Sequence, residues 1–139
     1  MDQWDKADIG EDIRTIDRLL QHGIFAPANT EHPLFRAAFI QMLIALRDLM
    51  YKAEKHASRI AFTDDVKIID EVHDVTDLIK YVRNALCHPD SDNHYLENGN
   101  IKSTFNVVFF GSQRIFLRRH ILRAYDEAKG KLLPLLSAS

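Results

Sequence analysis

Arg83, Asn84 and His88 are the residues of this sequence best placed to do chemistry together. They close the stretch Asp77-Leu78-Ile79-Lys80-Tyr81-Val82-Arg83-Asn84-Ala85-Leu86-Cys87-His88-Pro89, where Leu78, Ile79, Val82 and Leu86 repeat at helical spacing. On such a helix Asn84 and His88, four apart, share a face. Arg83 lies about 140° around the axis from His88 at roughly 100° per residue. The two converge only through the length of the arginine and through the place of His88 at the helix end. Pro89 disfavours helical geometry in the residue before it, which puts that end at Cys87 or His88. A helix C-terminus favours a cation, and a histidine that exchanges its proton near neutrality suits general acid–base work. Arg83 adds a bidentate cation. A plainer arrangement uses the same residues, with His88 bonded to a carbonyl and Arg83 in a surface ion pair with Asp77 or Asp90.

The pattern Arg-Asn-x-x-x-His, directly before a proline and ending an amphipathic helix, resembles the signature of the HEPN superfamily. There a helix carries an arginine, a polar residue just after it, often asparagine, and a histidine four to six residues beyond the arginine. Chain length and a motif on a late helix fit the small helical bundles of that family. The resemblance implies a metal-independent endoribonuclease acting as a homodimer, with two motifs facing one cleft. It also implies a setting such as a toxin or antiviral effector held silent by an inhibitory partner protein. RNA hydrolysis without metal needs a base for the 2′-hydroxyl, a donor for the leaving 5′-oxygen and a cation for the phosphorane. His88 suits the first or second role, Arg83 the third, and Asn84 orients phosphate or His88. One histidine cannot be acid and base at one instant, which the dimer answers. Where toxin-like members carry a tyrosine two residues after the histidine, this chain has Asp90, so no role tied to that tyrosine is carried over. A binding or scaffold module that forms the same dimer and cleaves nothing is the alternative.

Other constellations are weaker. Cys87 and His88 are adjacent, about 100° apart on a helix, so a nucleophilic dyad is disfavoured against a small buried cysteine. Seven histidines show no His-x-x-x-His spacing and the single cysteine excludes a local zinc knuckle, so no metal or cofactor is expected. Asp64-Asp65 and Asp74…Asp77 read more simply as helix N-terminal charge than as catalytic carboxylates. The sequence has neither a glycine-rich phosphate loop nor a Gly-x-Ser-x-Gly elbow.

The elements that must position the motif read as an all-α, up-and-down bundle of four to five helices forming a single domain over 1–139. Ile9, Ile13, Ile16, Leu19 and Leu20 make one helical stripe over 8–22, and Gly23 sits where a C-cap glycine belongs. Residues 24–33 read as a loop. Leu34 to about His56 is the strongest helix, apolar enough on its face to meet more than one partner. Thr63 offers an N-cap, and Asp74 or Thr76 a restart, so 64–88 divides into a short and a longer helix. ENGN and FNVVFFG suggest a hairpin over about 94–110. A final helix follows near 113–133, ended by Pro134.

A chain of 139 residues, 46% apolar and 27% charged, can bury one core without disulfides. The acidic start MDQWDKADIGED argues against a signal peptide, no apolar run is long enough to span a bilayer, and one cysteine suits a reducing, cytoplasmic setting. The net charge of −2 is unevenly placed. Residues 63–78 are acidic, whereas 112–131 carry Arg114, Arg118, Arg119, Arg123, Lys129 and Lys131. Arg114, Arg118, Arg119 and Arg123 are candidates to hold an RNA backbone, or else meet acids of their own fold.

Overall fold

The structure is a computed structural model that describes residues 1–29, 31–64, 66, 68, 71–87 and 113–137, with only the backbone for 85 and 113–118. Its described part is mostly helical: α1 (Gln3–His22), α2 (Phe35–His56), α3 (Val75–Cys87) and α4 (Gln113–Leu136), with one 3-10 turn at Pro27–Asn29. No strand occurs among the described residues. The hairpin expected over 94–110 lies outside them.

Helix α1 starts five residues earlier than its apolar stripe suggests, because Asp2 caps it. Asp2 Oδ1 accepts from the Asp5 amide at 2.8 Å. Asp5 is itself tied down by Lys55 Nζ (3.0 Å) and His56 Nε2 (2.6 Å) from the end of α2. Gly23 ends α1 at φ 79°, a left-handed conformation that glycine adopts without a Cβ clash. Helix α2 is the centre of the bundle and packs against α1, α3 and α4. Its Met42, Leu43, Leu46, Leu49, Met50 and Ala53 are at most 1% exposed, so this helix alone supplies much of the core. From α4 come Ala124, Tyr125, Ala128 and Leu132. The Tyr125 hydroxyl donates to Asp17 Oδ1 at 2.6 Å, an acceptor it shares with Lys129, and so joins α4 to α1.

Between α2 and α3, Arg59 organises the chain. Its Nε and Nη2 donate to both Asp74 oxygens (2.7 and 3.0 Å), with Asp77 at 2.9 Å and Glu54 at 2.8 Å. Asp74 Oδ1 also accepts from the Asp77 amide, so it is the cap that starts α3. The shorter helix expected from Thr63 does not form in the described residues: 64, 66 and 68 are non-helical, and the Val66 amide turns back to the Thr63 carbonyl at 2.9 Å. Ile60 and Val66 are instead buried against the core. Pro134 does not stop α4, which continues to Leu136. A proline in the last turn removes a single N–H bond and leaves the two following residues free to finish the turn.

Candidate functional site, a groove walled by α1, α2 and α3

Helices α1 and α3 flank α2 without covering all of it, and the gap is a groove of ≈ 570 Å³. Each wall is one helix face. Asp8, Glu11 and Asp12 come from α1, and Ile44, Arg47, Asp48 and Tyr51 from α2. Lys80, Arg83 and Asn84 come from α3. All three sets repeat at i, i+3, i+4, the spacing of a single exposed stripe. The opposite stripe of α3, Val75, Ile79, Val82 and Leu86, is buried, and that burial is what turns Arg83 and Asn84 outward.

Two of the three expected catalytic residues therefore share the groove. Arg83 Nη1 donates to Asn84 Oδ1 at 3.0 Å, which orients the guanidinium. Arg83 does not pair with Asp77, whose carboxylate is taken by Arg59. His88, one residue beyond the last described position of α3, lies outside the described residues, as does Asp90. Cys87 is half-buried, less enclosed than a core cysteine. No group of metal-binding side chains occurs among the described residues.

The acids of the groove are partly offset within the fold. Lys52 Nζ, on a side chain only 7% exposed, holds Asp48 at 2.9 Å and Asp8 at 3.7 Å. Glu11 pairs with Arg14 at 2.9 Å. Asp12 Oδ2 is enclosed and, among the described residues, has no hydrogen-bond partner if Asp12 is ionised. Burial, then the hydrogen bond and negative charge of Asp48, push the Asp12 pKa up to about 9, which favours the protonated acid with its proton toward Asp48. Burial works to raise Asp48 as well, but hydrogen bonds from Asp12 and Lys52 outweigh it and hold that carboxyl below its usual value.

The cations are not neutralised. Among the described residues, Arg47, Lys80 and Arg83 make no ion pair. Arg47 lies over the Tyr51 ring at 5.8 Å, and Lys80 over Tyr81 at 5.3 Å. Burial lowers the Arg47 pKa, and the like charges of Arg59 and Arg83 add to this against Glu54. Arginine stays charged regardless.

Among the residues with described side chains, none of α4 lines this groove. Arg123 is occupied by Asp64 at 2.6 Å and Glu127 at 3.3 Å, and its guanidinium stacks 3.8 Å from the Phe62 ring centre. Arg119 is exposed, and the side chains of Arg114 and Arg118 lie outside the described residues. Sequence reasoning missed Arg47, Lys80 and the Asp12–Asp48 pair. Their signal was available as the polar i, i+3, i+4 stripe opposite each apolar one.

Compared with protein-family models, with curated proteins and with solved structures, the chain has no match. No described helix is long and apolar enough to cross a membrane.

Proposed function

We propose that the protein is a HEPN-type, metal-independent endoribonuclease that works as a cytoplasmic homodimer. The observation that supports this most directly is the placement of Arg83 and Asn84, bonded to each other and opening into a groove rather than spent on a surface ion pair. In this reading Arg83 stabilises the phosphorane charge, Asn84 fixes the Arg83 guanidinium, and His88 moves the proton to or from the reacting oxygens. The histidine of the second protomer takes the complementary acid or base role across a shared cleft. The family resemblance extends the proposal to a toxin or antiviral effector restrained by a partner protein.

The test is incubation of wild-type and His88→Ala protein with mixed RNA in EDTA, followed by analysis of product ends. Cleavage by the wild type alone, leaving 2′,3′-cyclic phosphates, is the expected result. Absence of cleavage by a folded wild-type dimer overturns it in favour of a silent binding module. A heterodimer of one wild-type and one His88→Ala protomer should lose most activity. Full activity there contradicts the shared site.

A further inference from the structure

Beyond the reacting centre, the same groove has a composition that the cleavage chemistry alone does not require. Two helices bring Arg47, Lys80 and Arg83 to one opening, and no described carboxylate pairs with any of them. Six other cations behave differently. Arg14, Lys52, Lys55, Arg59, Arg123 and Lys129 each hold an acid. Leaving three cations unpaired beside one another costs Coulomb repulsion, and Arg47 is half-buried besides. A ligand that brings negative charge relieves that repulsion. The acids of the groove supply it only in part, because Lys52 lies on Asp48 and near Asp8, Arg14 holds Glu11 and Asp12 keeps its proton.

An apolar floor accompanies these charges. Tyr51 and Ile44, about two turns apart on the same α2 stripe, are 51% and 38% exposed and line the groove. Large apolar side chains left open among cations suit a ligand with both flat apolar and anionic parts. Single-stranded nucleic acid has that composition, and its binding sites combine a cationic track with aromatic rings on which unstacked bases lie. The volume of ≈ 570 Å³ is that of a small-ligand site rather than of a groove for a helix or a duplex.

We propose that this groove binds a single-stranded segment of RNA, with phosphates on Arg47, Lys80 and Arg83 and an unstacked base on Tyr51. The proposal rests on the ribonuclease reading for its choice of RNA, and it adds residues that hold the strand without taking part in bond cleavage. A duplex is disfavoured because its bases are already stacked on one another and cannot reach the Tyr51 ring. Asn84 and the exposed edge of Asp48 remain to accept or donate hydrogen bonds at the sugar or base.

The experiment is fluorescence anisotropy of a labelled, mixed-sequence oligoribonucleotide titrated with full-length His88→Ala protein, so that cleavage does not consume the probe. Arg47→Gln and Lys80→Gln, each added to that background, should weaken binding about tenfold and reduce the salt dependence by about 0.7 in log–log slope per lost phosphate contact. Tyr51→Ala should weaken single-stranded binding about tenfold and leave a duplex of the same sequence unaffected. Lys131→Gln, whose ammonium sits on Ser58 away from the groove, should change nothing. Circular dichroism verifies that each variant is folded, and exposed Tyr51 keeps the test available if Arg47→Gln is not. Unchanged affinity in all three groove variants overturns the proposal even where the wild type cleaves RNA. Groove-dependent binding by a protein that leaves RNA intact upholds it and removes the ribonuclease reading instead. A folded protein that binds no RNA at low salt refutes the groove assignment outright.

Discussion

Replacing Asp12 by Asn should change how the fold responds to pH more than it changes the fold. In the native protein the Asp12 carboxyl is held protonated, its pKa raised by burial and by Asp48 from 3.8 to about 9. The unfolded chain releases that proton near pH 3.8 and the folded chain keeps it. Between these limits folding therefore takes up a proton, and stability must fall as pH rises. The stabilising contribution is complete below pH 3.8 and is lost by the time pH passes about 9. One proton corresponds to at most about 1.4 kcal/mol per pH unit. The Asp48 side chain is 39% exposed and Lys52 lies beside it, so solvent and that cation screen the pair. At half the maximal rate, wild type loses about 2 kcal/mol between pH 5 and pH 8. Asparagine has nearly the same shape and donates to Asp48 with an amide N–H at any pH, so Asp12→Asn removes this slope. Urea denaturation of both proteins at pH 5, 6.5 and 8 measures it. The variant should gain on wild type steadily, by about 2 kcal/mol across the series. Parallel pH profiles for the two proteins would show that Asp12 is ionised in the native state, and the account of a partly offset acidic wall would be wrong.

Two further substitutions probe the scaffold. Arg59→Ala leaves Asp74 and Asp77 without their cation and should cost about 2 kcal/mol at neutral pH by urea denaturation. Because the pKa of Asp74 is held below 3.8, that contribution is complete above this value and is lost as pH falls from it through the lower folded pKa, so wild type and Arg59→Ala should converge in acid. Gly23→Ala forces a Cβ into the left-handed C-cap at φ 79° with no other atom within 4 Å, so the cost is backbone strain alone, about 1 kcal/mol in the same assay. An unchanged midpoint in Gly23→Ala would mean that the turn after α1 adapts.

The helices were legible because each buries one stripe. The spacing of Ile9, Ile13 and Ile16 and of Val75, Ile79, Val82 and Leu86 marks faces that the structure buries, and Gly23 marks where α1 stops. What was not legible has a common cause in contacts between distant residues. The start of α1 depends on Asp2 and on Asp5 meeting Lys55 and His56, which no local periodicity records. Thr63 is followed by residues suited to a helix start, yet 64, 66 and 68 are non-helical, while Ile60 and Val66 are buried and Arg59 is bonded to Asp74. Arg83 and Asn84 stood out by type and order, whereas Arg47 and Lys80 are ordinary surface residues in sequence. They gain meaning only when α2 and α3 lie side by side. Arg123 shows the reverse case, since its position in a basic run suggested a nucleic-acid contact and the fold gives it Asp64, Glu127 and Phe62.

Helix α2 explains why the groove carries an excess of free positive charge although the chain is net acidic. Its core stripe fixes its rotation, and that rotation sets Arg47 beside α3 and Asp48 and Lys52 beside α1. One buried ammonium, Lys52, then answers two carboxylates, and the Asp12 proton removes a third charge. The Asp12 proton is held only while α1 is docked, whereas the Lys52–Asp48 and Arg14–Glu11 pairs each lie within one helix. Lys80 and Arg83 make no use of α1, so they remain cationic in either case. A change that loosens α1 while it still borders the opening would relieve the burial of Asp12, let it ionise beside Asp48 and oppose an incoming phosphate. Anion affinity in this groove is thus coupled to the packing of a helix that contributes none of its cations. A variant weakened at the α1–α2 contact should bind RNA less well even with Arg47, Lys80 and Arg83 intact.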